Sequence, residues 1–122
     1  MRIRPIKHFT ESEFTCDGVE CYDLMSDELL LKLGTARVIA GIPFHLNSSW
    51  RSKAYNDSLE NSSPNSAHLR GNAVDIACAN SSDRYQIIDA CMAAGFTRIG
   101  IANTFIHIDV DEDLPSNVIW TY

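Results

Sequence analysis

The 122-residue chain lacks any apolar run approaching the roughly 20 residues that cross a membrane as a helix. Its first residues, Met1-Arg-Ile-Arg-Pro-Ile-Lys-His8, also lack the apolar stretch of a secretory leader. These absences set the expectation of a protein with no membrane span, made in the cytoplasm without a signal peptide. If it works elsewhere, a partner or a non-classical route must release it. A surplus of positive charge is missing as well, since 10 Lys and Arg stand against 16 Asp and Glu for a net charge of -6. Phosphate backbones are held by basic surfaces that displace counterions, so nucleic acid is excluded as an expected partner. There is no repeat, polar tract or linker, and 45% of residues are hydrophobic. The expectation is therefore one domain, residues 1–122, with a single core, acting as a monomer.

No C-x-x-C pair occurs among the four cysteines at 16, 21, 78 and 91, which argues against a zinc ribbon. Cys16 and Cys21 flank Asp17-Gly18, a turn signal, and the spacing permits a small disulfide or half of a metal knuckle. The absence of an export signal favours reduced, structural thiols. Cys78 and Cys91 lie on apolar faces and read as core.

Thr10-Glu-Ser-Glu13 is a capping box and predicts a short helix ending near Cys16. Ser26-Asp-Glu starts a longer helix, with two acids at the positive end of its dipole and Leu29, Leu30, Leu33, Val38 and Ile39 on its apolar face. Gly41 ends it. From Phe44 to Arg51, apolar Phe44, Leu46 and Trp50 alternate with His45, Asn47, Ser49 and Arg51, the pattern of a half-buried strand. A short helix over Ser52 to Glu60 and a loop of turn formers over Asn61 to Ser66 follow.

Ala73 to Cys78 reads as a strand with Val74, Ile76 and Cys78 on one face and Ala73, Asp75 and Ala77 on the other. Ser82-Asp83 is the expected cap of a third helix running to Ala94, packing through Tyr85, Ile88, Ala90, Cys91 and Met92, with Gly95 stopping it. Arg98–Ile101 and Thr104–Val110 read as a hairpin around Ala102-Asn103. In its second strand Ile106, Ile108 and Val110 face the core, while Phe105, His107 and Asp109 face the other way. The expected fold is α+β, a small antiparallel sheet packed on helices, with a site on the open face.

That face concentrates metal-competent groups. Two neutral imidazoles and a carboxylate, from His68, Asp75 and His107, suit a zinc ion at roughly 2 Å that keeps a fourth position for water and lowers its pKa toward about 7. Each residue has a plainer reading alone: a loop histidine, a turn or edge aspartate, a satisfied strand histidine. Their combination at interior strand positions favours the metal, because an unpaired buried charge is costly.

Ser66, His68, Gly71, Ala73 and Asp75 spell S-x-H-x-x-G-x-A-x-D. This resembles the motif of the zinc D-alanyl-D-alanine carboxypeptidase and L-alanyl-D-glutamate endopeptidase superfamily, whose fold is shared with the Hedgehog signalling domain. His8-Phe9-Thr10, Ser12-Glu13-Phe14, Cys16-Asp17-Gly18, Trp50-Arg51-Ser52 with Asn56, Phe105 to Asp109 and the closing Trp120-Thr121-Tyr122 resemble the compact branch found in phage endolysins and cell-wall peptidases. The resemblance covers nearly the whole chain. It implies His68, Asp75 and His107 as Zn2+ ligands, and Arg51 as the group that polarises the scissile carbonyl or holds a substrate carboxylate. Ser66 would buttress the metal loop or bond the substrate backbone.

The sequence departs from the better-known members at the general base. They carry an acid three residues before the last histidine, or a histidine two before it, where this chain has Thr104 and Phe105. Asp109 is the nearest acid of suitable direction, about 6–7 Å along the same face as His107. It is expected either to act as the catalytic proton shuttle or to orient a ligand imidazole. The implied function is a zinc peptidase acting on peptidoglycan stem peptides at the cell wall, in phage lysis or wall remodelling. A catalytically silent zinc module binding wall peptides or another protein is the alternative, and a plain scaffold with structural histidines is the weakest reading.

Overall fold

The computed structural model describes Ile6, residues 8–59 and residues 62–122. The expectations for residues 1–5 and Lys7, the helix end at Glu60 and the loop start at Asn61 lie outside the described residues.

The described residues form two sheets and three α-helices: strands β1 (Thr15–Cys16), β2 (Val19–Glu20), β3 (Leu46–Ser48), β4 (Ala73–Ala77), β5 (Arg98–Ile101), β6 (Phe105–Asp109) and β7 (Val118–Thr121), and helices α1 (Asp27–Ala40), α2 (Lys53–Ser58) and α3 (Ser81–Ala93). The fold is α+β, as the alternating and helical patterns imply. β1 and β2 form a separate hairpin whose turn, Asp17-Gly18, has φ values of 50° and 81°. Two positive φ values make the primed turn that matches strand twist. The Thr10 capping box forms, but on one 3-10 turn, Glu11–Glu13. Phe14 then turns into the core, fully buried.

The main sheet has the order β3-β4-β6-β5-β7. All its pairings are antiparallel except β5 with β7, which run parallel. The sheet is therefore mixed, and β7 is a strand that the hydropathy pattern alone did not announce. One sheet face carries Val74, Ile76, Ile99, Ile106 and Ile108, all buried against the core built with α1 and α3. Burial of this apolar area is the main source of stability.

Ser26 caps α1 through a bond from the Leu29 N–H, and Gly41 closes it in the left-handed region. Its buried residues are Leu29, Leu30, Leu33 and Ala36, whereas Val38 and Ile39, expected in the core, are 51% and 48% exposed. The buried stripe runs through small Ala36 and turns Val38 and Ile39 outward. α3 starts one residue before the expected Ser82-Asp83 cap: Asn80 is the N-cap, its side chain accepting the Asp83 N–H. The buried face is then Ile87, Ala90 and Cys91, and Tyr85 and Met92 project to solvent. All four cysteines are free and buried, and burial pushes the Cys91 thiol up to about 12.

The strand expected over Phe44–Arg51 shortens to β3 because the pairing with β4 shifts between Leu46 and Ser48. Such a bulge changes which side chains face inward. Ser48 falls opposite Asp75, and Ser49, expected on the polar face, is buried.

Candidate metal centre

The open face of the sheet carries one row of residues across four strands. Asp75 on β4 pairs with His107 on β6, His107 with Gly100 on β5, and Gly100 with Trp120 on β7. Strand alternation alone puts all four on the side away from the core.

His68 reaches this row from a 3-10 turn, Ala67–Arg70. Ser66 caps the turn by accepting the His68 N–H at 3.2 Å, and Gly71 closes it at φ 71°. A Cβ at Gly71 would collide with the Leu24 carbonyl oxygen, so both backbone angle and space demand glycine here. The Arg51 N–H donates to the His68 carbonyl at 3.0 Å and the Ser26 N–H to the Gly71 carbonyl at 2.9 Å, which pins the turn to its neighbours.

The imidazole tautomers follow from what each ring touches. His68 Nδ1 lies 2.7 Å from the Ser49 carbonyl oxygen, which can only accept. Nδ1 therefore carries the proton and Nε2 the lone pair, and Nε2 lies 3.3 Å from Asp75 Oδ1. His107 is turned the other way. Its Nε2 faces Asp109 Oδ2 at 2.7 Å, leaving Nδ1 at 3.0 Å from Asp75 Oδ1. Two ring nitrogens thus converge on a single carboxylate oxygen. The ligand atoms of His68, Asp75 and His107 all lie within 4.8 Å of one another, and the three residues are buried. Two imidazoles and a carboxylate are a donor set suited to zinc, and each outer nitrogen already has an acceptor that fixes the ring.

Charge in this cluster is strongly biased. Burial alone would raise Asp75, but the bonds with His107 and His68 outweigh it and hold its carboxyl well below the usual carboxylate range. Burial would lower His107, yet the carboxylates of Asp109 and Asp75 on either side raise it above the ordinary imidazole value. The two carboxylates of the pocket, Asp75 and Asp109, therefore stay ionised between the imidazoles and the guanidinium groups of Arg51 and Arg98.

Arg51 lies beside the triad, with Nε donating to Ser48 Oγ at 3.0 Å, Nη1 to Asn56 Oδ1 at 3.2 Å and Nη2 to Asp75 Oδ2 at 3.3 Å. Buried Asn56 also donates to the Ser63 carbonyl at 2.8 Å, tying the arginine to the loop before the metal motif. Asp109 is fully buried: besides His107 it accepts Arg98 Nε at 2.8 Å and the Asp111 N–H at 3.1 Å on Oδ1. The structure thus brings together every residue expected at the site: Arg51, Ser66, His68, Asp75, His107 and Asp109 all line one cavity of about 570 Å³.

Sequence reasoning missed Arg98 and Trp120 as parts of this wall. Arg98 pairs across β5–β6 with Asp109, so the hairpin register would have found it. Its guanidinium carbon lies 4.9 Å from the Trp120 ring centroid, and that ring is 5.4 Å from His107. Trp120 can lie there because Gly100 has no side chain; a Cβ would come within 2.6 Å of the indole nitrogen.

Compared with protein-family models, residues 7–109 match the one described as Peptidase M15. No curated protein matches the chain.

Proposed function

The chain belongs to the peptidase M15 family of zinc peptidases, and from that premise we propose that it hydrolyses a peptide bond in the stem peptides of bacterial peptidoglycan. The bond would be of the D-Ala-D-Ala carboxypeptidase or L-Ala-D-Glu endopeptidase type. One observation carries this reading: His68 Nε2 and His107 Nδ1 converge on Asp75 Oδ1 while their outer nitrogens are already engaged.

His68, Asp75 and His107 would hold the zinc. When bound, the ion supplies a Lewis acid that lowers the pKa of water toward about 7 and polarises a carbonyl. The chain's own groups do the rest. The Ser49 carbonyl and Asp109 engage the outer nitrogens and orient both rings, so that His68 Nε2 and His107 Nδ1 face Asp75, where a bound metal would replace any proton they share with it. Arg51, held by Ser48 and Asn56, is placed to steer a substrate carbonyl or carboxylate. Ser66 buttresses the turn that carries His68. For Asp109 the geometry favours orientation of His107 over proton shuttling, because both of its oxygens are already bonded within the protein. The setting we propose is a phage lysin or wall-remodelling enzyme that meets the wall after release from the cytoplasm.

The experiment is digestion of purified peptidoglycan with identification of the new amino and carboxyl termini. Cleavage by the zinc-loaded protein is expected, and retained cleavage after thorough metal removal overturns the proposal. The engagement of both Asp75 and Asp109 by imidazoles also favours a second reading, a silent zinc module that binds wall peptides. Wall binding without new termini would select it.

A further inference from the structure

Peptide hydrolysis builds negative charge on the scissile carbonyl oxygen, and donors already aimed at that oxygen stabilise it. Arg51 turns three of its N–H groups toward Ser48, Asn56 and Asp75. A second donor stands in the same cavity. The Tyr122 N–H bonds the Ile101 carbonyl at 3.2 Å, which carries the β7–β5 pairing one residue past Thr121. Tyr122 therefore keeps strand parity with Trp120, two residues back, and faces the side of the sheet that holds His107. Its ring meets Phe105 edge-on, with centroids 5.2 Å apart, and it lines the cavity with Arg51, His68, Asp75 and His107.

The phenol's state is set by its neighbours. Tyr122 is 70% exposed, but the part of it that lines the cavity is desolvated, which raises its pKa above the ordinary tyrosine value; the nearby Arg51 charge opposes this, and the charges of Asp75 and Asp109 add to it. The phenol thus stays protonated at neutral pH. A protonated phenol can donate as well as accept, so Tyr122 has an O–H to offer within the cavity it lines with the metal-competent residues. Trp120, two residues back on the same strand, lies over Gly100, which has no side chain to displace its ring. Both Trp120 and Tyr122 lie beyond residues 7–109, the segment that matches the family.

We propose that Tyr122 is a further catalytic residue of this site, its phenolic O–H donating a hydrogen bond to the scissile carbonyl oxygen as charge develops there. This inference rests on the peptidase reading above.

Tyr122→Phe keeps the ring and its packing on Phe105 and removes only the hydroxyl. In the zinc-loaded full chain acting on a wall peptide, kcat is expected to fall at least about tenfold with KM within about threefold, since an interaction made only in the transition state is lost. Affinity for a phosphinate analogue of the same peptide, a tetrahedral anion, should fall by a similar factor, while zinc content and unfolding midpoint stay those of the wild type. If Tyr122→Phe keeps wild-type kcat and phosphinate affinity, changes only KM, or loses zinc, the role of Tyr122 is overturned and the peptidase reading stands. A wild-type protein that neither cleaves wall peptides nor binds the phosphinate overturns both.

Discussion

The Asp109 carboxylate stands 2.7 Å from His107 Nε2, across the ring from Asp75 Oδ1, which is 3.0 Å from Nδ1. An orienting carboxylate and a general base make different demands on the same residue. Loss of such an orienting partner typically weakens metal affinity about 10–100-fold. Asp109→Asn should therefore lower zinc affinity by about that factor, with cleavage recovering as zinc is raised to saturation. Competition with a chromophoric chelator, run beside wall digestion at graded zinc, checks this. Unchanged affinity with cleavage still lost at saturating zinc would return Asp109 to the role of base.

His68→Ala removes one of the two nitrogens that converge on Asp75. The wild type should carry one zinc per chain by elemental analysis. The variant should carry almost none and leave purified wall intact. A zinc-free wild type would support the reading in which the histidines are structural.

Much of the site is legible in the sequence, because strand alternation is rigid. Asp75 and His107 are each flanked by core residues of opposite parity, and they meet as direct partners across β4 and β6. His68 was legible through its spacing to Gly71 and Asp75, a turn that only glycine can close. Less was readable where the pattern breaks. The bulge in β3 moves Ser49 inward, and that shift delivers its carbonyl to His68, which no alternation rule foresees. β7 pairs in parallel with β5 after a crossover, so its partner is distant in sequence and Trp120 and Tyr122 could not be assigned to the cavity from the strand itself. On the helices, Val38, Ile39, Tyr85 and Met92 misled because hydrophobicity does not say which side of a helix a neighbour covers.

Gly100 separates His107 from Trp120 in the row across the sheet. Gly100→Ala would place a methyl 2.6 to 2.9 Å from the indole, closer than packed atoms tolerate. The ring must shift from its place over Gly100, at a cost of about 1–3 kcal/mol as for other overpacked sites. A lower unfolding midpoint and an altered tryptophan emission should report it, with zinc content preserved because Gly100 supplies none of the three ligand atoms.

Asp111 ties the metal loop to the end of β6, accepting Arg70 Nε at 2.6 Å and Asn72 Nδ2 at 3.2 Å, one residue on either side of Gly71. Burial pushes its carboxyl up, but the Arg70 bond, aided by Asn72 and the Asp113 N–H, outweighs this and holds it below the usual carboxylate range. A carboxyl whose folded pKa is depressed adds stability at pH values above its unfolded pKa of about 3.9, and that stability is lost as pH falls through the folded value. Asp111→Asn should cost about 1.5–3 kcal/mol at pH 7, the range for a bond to a charged group. The gap between the two proteins should then narrow as pH drops below about 4, because the wild type loses its charge while the variant has none to lose. Urea midpoints of both proteins from pH 7 down to pH 3 measure the gap. A gap that stays constant over that range would place the contribution of Asp111 in packing and neutral hydrogen bonding instead of its charge.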